Sequence, residues 1–226
     1  MAIQISVDGY AACGKSTLAR GLADKLGFIY IDSGAMYRGI TYYFLQQNIS
    51  FDQVPSMEVM SEIEISFISP PGSHTPDQLL LNGVNINNHL RSQAVNEKVS
   101  TIAAMPVVRK YLVALQQNYG QEHNVVMDGR DIGNVVFPNA ILKLFLTADI
   151  ETRVKRRLLD LKSDSDLTYE QVKENLLYRD HIDSTRQDSP LRQSPDAVLI
   201  DNTNLTIKEQ LEMVYTLALL RLKRLS

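Results

Sequence analysis

Residues 9–16 read GYAACGKS, behind the apolar-alternating run AIQISV at residues 2–7, and have the form G-x-x-x-x-G-K-S of a phosphate-binding loop. A polyphosphate needs many donors converging on a small volume, and Gly9 and Gly14 let the main chain curl that tightly. A helix starting near Lys15 aims its unpaired N–H groups and positive dipole end at the anion. The Lys15 ammonium reaches the outer phosphates, and the Ser16 hydroxyl is placed to ligate Mg²⁺. The flanks agree with this reading. Ile3 to Val7 is a strand, and Lys15 to Leu26 carries Leu18, Leu22, Ala23 and Leu26 at helical spacing.

Working outward, Phe28 to Ile31 is the second strand of a βαβ unit. In an open parallel sheet the loops at the carboxyl ends of the strands line the ligand crevice, so Asp32, Ser33, Tyr37 and Arg38 should face the phosphate loop. Arg38 lies near the start of a helix over about 35–46, where a basic residue opposes the dipole and calls for an anionic partner. Around Gly and Pro between residues 49 and 91 the pattern turns to alternation, with strands over 62–68 and 78–81, a Pro-Gly-Ser turn region and a tight turn at Asn82-Gly83. This is an antiparallel insertion in an alternating α/β chain.

Helices over about 92–104 and 107–118 follow, divided at Met105-Pro106. Asn124 to Met127 is a buried strand running into Asp128, Arg130 and Asp131, and three charges at a strand's carboxyl end are costly unless something binds there. Asp8 and Asp128 both end apolar strands, and either suits metal-bound water or a turn cap. A strand over 141–146 leads to a helix opened by Asp149 and containing Arg153, Arg156 and Arg157, which breaks at the polar run KSDSD (162–166). Thr168 with Gln171 is a capping box for the next helix, which bears Arg179, Asp180, Asp183 and Arg186. Arginines flanking such a tip suit a lid over phosphates. A fifth strand over 197–201 and a helix over 207–222, capped by Thr206 and Glu209, complete the chain.

With 226 residues the chain is one large domain with an inserted piece, and 44% hydrophobic with 22% charged residues is ordinary for a soluble enzyme. No run suggests a membrane span and no basic-then-apolar leader is visible, so a cytoplasmic protein without membrane or nucleic-acid partners is expected. A net charge of −3 makes any anion site local. The single cysteine, Cys13, excludes an internal disulfide. Its place at a helix N-terminus suits a reactive thiol, although a small side chain filling a tight loop accounts for it more simply. The four histidines lack metal-ligand spacing.

Taken together, the loop, DSGAMYR (32–38), VSTIAAMPVVR (99–109), DGRDIGNVVFP (128–138), the lid arginines and the RD..D..R run resemble the bacterial cytidylate kinase family along nearly the whole chain. The resemblance implies a P-loop nucleoside monophosphate kinase fold: a five-stranded parallel sheet flanked by helices, with a core of 1–48 and 92–226, a CMP-binding insertion at 49–91 and a short helical lid within 153–186. It implies transfer of the ATP γ-phosphoryl group to CMP or dCMP with Mg²⁺; a monomer is expected. Gly9, Ala11, Ala12, Cys13, Gly14, Lys15, Ser16, Thr17 and Arg156 would then hold ATP. Lys15, Arg130, Arg153 and Arg157 would act in catalysis. Ser33, Arg109 and Asp131 would meet cytosine, Arg38, Arg130 and Arg186 the acceptor phosphate, and Ser100, Arg179 and Asp183 the sugar.

The loop departs from the family's common Gly-Pro-x-Gly-Ala-Gly-Lys form at Tyr10, Ala12 and Cys13. Chemistry supports the cytosine choice independently, because a carboxylate accepts from the exocyclic amine of cytosine and opposes the carbonyl of uracil. Two other readings stand beside this one. A kinase for another acceptor would not need the base-reading set with its insertion, and a nucleotide-binding switch would carry an Asn-Lys-x-Asp guanine reader, which is absent.

Overall fold

The computed structural model describes residues 2–52, 55–68, 78–161 and 167–224. Five parallel strands, β1 (Gln4–Gly9), β2 (Ile29–Asp32), β6 (Val125–Gly129), β7 (Leu142–Thr147) and β8 (Val198–Asp201), form one sheet in the order β2-β6-β1-β7-β8. Their side-chain alternation divides the core. Val125, Met127 and Ile31 pack on one face with α2 (Ser33–Gln46), α4 (Gln93–Ala103) and α5 (Pro106–Glu122). Val126, Tyr30, Ile5 and Val7 pack on the other with α1 (Lys15–Leu26) and α8 (Ile207–Leu222).

The crossovers put every carboxyl end on one edge. Val7 and Asp32 are both in register with Asp128, and Asp8 is in register with Gly129. The chain leaves β1 at Gly9, where φ is +145° and a Cβ would lie 2.1 Å from the Leu146 carbonyl oxygen, so only glycine fits.

Within the insertion, α3 (Met57–Ser61) precedes an antiparallel sheet of β3 (Ile65–Ile68), β4 (Gln78–Leu81) and β5 (Val84–Asn85). The Pro-Gly-Ser turn read from the sequence lies outside the described residues, as does KSDSD. On either side of that polar run stand α6 (Ile150–Asp160) and α7 (Tyr169–Thr185). Val154, Val172 and Leu176 from these helices form a small third core with Ala11 of the phosphate loop.

Several boundaries differ from the sequence reading: β3 begins at Ile65 rather than at 62, and α5 runs on to Glu122 rather than stopping at 118. Helix α2 begins at Ser33 because Asp32 caps it, accepting from the Ala35 N–H at 2.9 Å. Strand β6 continues through Asp128 to Gly129, because Asp128 stays paired with its strand neighbours. After it comes a π-helical turn, Ile132–Val136, that periodicity did not announce. No helix among the described residues is long and apolar enough to cross a membrane.

Candidate active site

Gly14, at φ 81°, caps α1 with no side-chain hydrogen bond, so the first N–H groups of the helix stay open toward the loop. Ala12 also takes a left-handed conformation, at φ 57°, where the family's common glycine would rest without strain. Cys13 is fully buried, so its side chain fills the turn as the simpler reading expected. From behind, Asn202 braces the loop. Its side-chain amide donates to the Cys13 carbonyl and to Gln210 Oε1, both at 2.8 Å. Arg156 is turned onto this same residue, donating to its Oδ1 and its carbonyl, each at 2.9 Å.

Lys15 folds back over the loop and donates to the Tyr10 carbonyl at 2.7 Å. Burial, reinforced by Arg130, lowers its pKa to about 8. Ser16 Oγ donates to Asp128 Oδ2 at 3.0 Å, and Tyr30 donates to the other oxygen at 2.8 Å. Burial and the neighbouring Asp32 raise the Asp128 pKa to about 6. Asp8 has a different task. It accepts the N–H groups of Ile132 at 2.8 Å and Gly133 at 2.7 Å, so its carboxylate anchors the π-turn, and burial raises its pKa to about 7. Of the two strand-ending carboxylates, only Asp128 faces the phosphate-loop serine.

A cavity of about 280 Å³ opens in front of the loop, bounded by Lys15, Ser33, Arg38, Ser100, Asp131 and Arg179 among others. Seven basic side chains line it against five carboxylates, so the wall favours an anion. Three buried donors on this wall, Tyr37 Oη, Arg38 Nε and Arg179 Nε, have no hydrogen-bond partner among the described residues. Burial, followed by the nearby Arg130, lowers the Arg179 pKa to about 10.

At the deep end, Arg109 is 1% exposed and pairs with Asp131 in a short hydrogen bond, with the Tyr37 ring 5.8 Å from its guanidinium. Arg186 Nη2 lies 3.5 Å from the other oxygen of Asp131 and donates to the Ser189 carbonyl at 2.6 Å. Ser33 donates to the Asp128 carbonyl at 2.6 Å. Toward the mouth, Arg130 donates to Asp183 at 2.8 Å. Burial alone would raise the Asp183 pKa, but Arg130 holds it below the usual range. The anionic partner that the position of Arg38 called for is present within the chain, as Asp32 at 2.8 Å.

The structure therefore gathers Lys15, Ser16, Thr17, Ser33, Arg38, Ser100, Arg130, Asp131, Arg157, Arg179, Asp183 and Arg186 around one cavity. Arg109 stands behind Asp131, while Arg153 and Arg156 are held beside the loop rather than on the cavity wall. Arg91, Asn96 and Asp160 also line the cavity and were not singled out from the sequence. Nor was Asn202, whose only signal is a polar residue at the end of a strand.

A sequence model described as cytidylate kinase matches residues 5–219. The chain is 47% identical over 215 residues to a cytidylate kinase of Bacteroides fragilis, covering 93% of each. It is 44% identical over 220 residues to one of Cytophaga hutchinsonii, covering 96% of this chain and 93% of that one. Among solved structures, an uncharacterized protein from Eubacterium ventriosum shares the fold with a TM-score of 0.51 and 12% identity, over 96% of this chain and 97% of that one.

Proposed function

This chain belongs to the cytidylate kinase family and is an ATP-dependent kinase of CMP, and we propose that the cavity residues divide the work of moving the γ-phosphoryl group to CMP and dCMP. The observation that carries this reading is the buried Arg109–Asp131 pair, whose carboxylate lines the same cavity as the phosphate loop. Arg109 fixes Asp131 with one oxygen, and the carboxylate reads the exocyclic amine of cytosine. Ser33 supports the base, while Ser100, Arg179 and Asp183 hold the sugar. Arg38, Arg130 and Arg186 meet the acceptor phosphate, and Arg38 Nε, buried without a partner among the described residues, suits an oxyanion.

On the donor side, the main-chain N–H groups from Ala12 to Thr17 surround the phosphates, the Ala11 N–H being held by Asp180, and Lys15 leaves the Tyr10 carbonyl for them. Arg156, held on Asn202 behind the loop, serves the donor phosphates with the other lid arginines. The oxygens of Ser16 and Asp128 suit Mg²⁺, and these two residues would hold it. Bound there, Mg²⁺ would neutralise charge on the transferring group. Lys15, Arg130, Arg153 and Arg157 stabilise the equatorial oxygens, and no general base is needed because the acceptor phosphate is already ionised. Closure of α6 and α7 keeps water from intercepting the phosphoryl group.

The deciding experiment measures ADP formation from Mg·ATP with CMP, dCMP, UMP, AMP, GMP and dTMP, using the native protein and Asp131→Asn. Turnover confined to CMP and dCMP, and weakened in the variant, is expected. Equal turnover with UMP would remove Asp131 as the base reader.

A further inference from the structure

Lid helix α7 reaches the phosphate loop through one carboxylate. Asp180 Oδ1 accepts the main-chain N–H of Ala11 at 3.3 Å, and its Oδ2 pairs with Arg153 in a short hydrogen bond. The same Arg153 Nη1 reaches the Ala11 carbonyl at 3.4 Å, and the guanidinium lies 5.4 Å from the centre of the Tyr10 ring. Both side chains are largely buried, at 12% exposure for Asp180 and 8% for Arg153. Around them, Ala11 packs on Val154, Val172 and Leu176, so the apolar seam and the ion pair join the same three segments.

This position is chemically unusual. An N–H of a phosphate loop ordinarily serves an anionic ligand, and here a carboxylate of the chain takes one. A buried guanidinium needs a counter-charge, and its planar fork is fixed in direction by the group that it pairs with. Because Asp180 grips both the loop and Arg153, it sets where that guanidinium sits relative to the donor phosphates.

We propose that Asp180 is a positioning residue that acts through Arg153, holding its guanidinium at the Tyr10–Ala11 edge of the phosphate loop so that the lid arginine stands beside the donor phosphates. The proposal rests on the kinase reading above. It assigns Asp180 no contact with either nucleotide.

The test is a double-mutant cycle with Asp180→Ala, Arg153→Ala and the pair, reading kcat and the KM for CMP under saturating Mg·ATP. Asp180→Ala is expected to lower kcat about 10- to 100-fold, within the coupling range of residues in contact, while KM for CMP stays within about threefold. The pair should be no slower than Arg153→Ala alone. Asp180→Glu, which keeps the charge, should recover part of the rate. Asp180→Asn, which keeps an acceptor for the Ala11 N–H, should lose rate as Asp180→Ala does and serves if the alanine protein does not fold. A loss that multiplies in the pair, a normal kcat for Asp180→Asn, or a lowered melting temperature with normal kcat would each overturn the assignment. These failures are distinct from failure of the kinase reading, which would appear as no CMP-dependent ADP formation by the native protein.

Discussion

Ser16 Oγ and Asp128 Oδ2 lie 3.0 Å apart across the boundary between the phosphate loop and β6. The serine belongs to the first turn of α1 and the aspartate to the neighbouring strand, so parallel pairing of β1 with β6 brings two hard-oxygen groups together from residues 112 apart in sequence.

For that reason Asp128→Asn is expected to raise the Mg²⁺ concentration for half-maximal activity by about 10- to 100-fold, the usual penalty for losing a carboxylate at a metal site. The check is a Mg²⁺ titration at fixed ATP. An unchanged midpoint would mean that Asp128 serves only Tyr30 and Ser16.

Asp131→Ala removes the counter-charge of a buried guanidinium. The expected loss of unfolding free energy is about 3–5 kcal/mol, because Arg109 is left buried and only distantly faced by Asp188 at 3.8 Å. Denaturant titration checks it. Asp131→Asn, which still accepts from Arg109, should lose less stability but still narrow the preference for CMP over UMP.

Lys15 has a pKa lowered to about 8 against 10.5 in an unfolded chain. Between those values the unfolded state binds more protons, so this group alone makes stability rise with pH there; the cost of burying the ammonium is fully present below pH 8. An incoming polyphosphate favours the charged form. ATP binding near pH 8.5 should therefore take up protons, seen by calorimetry as a heat that varies with the ionisation enthalpy of the buffer. A buffer-independent heat would show Lys15 charged throughout.

Gly9→Ala would place a methyl group 2.1 Å from the Leu146 carbonyl at a φ that alanine rarely adopts. A loss of about 3 kcal/mol or more is expected, with loss of nucleotide binding, since backbone strain and a clash with main chain add together. Thermal unfolding with and without ATP reads both effects.

The sequence was most informative where one residue type has one physical use. Gly9, Gly14, Lys15 and Ser16 announced the loop, and helix α1 has the predicted bounds Lys15 to Leu26. The capping boxes at Thr168 and Thr206 are both formed. Short elements were silent for the opposite reason. Helix α3 spans five residues and β5 two, too few for any period to show, and the π-turn exists because Asp8, 124 residues away, accepts its first N–H groups. Asn202 escaped notice, and Asp180 showed only as one charge on its helix, because their partners, Cys13 and Ala11, lie 189 and 169 residues away.

Asp8, holding the turn that follows Arg130 and Asp131, welds the phosphate loop's own strand to the segment that faces the acceptor. Donor and acceptor platforms are thus two ends of one stiff beam. The insertion is attached elsewhere, through α2 and α5. Because Asp131 stands directly before the turn that Asp8 holds, the choice of base and the transfer distance are tied to one rigid segment and are inherited together.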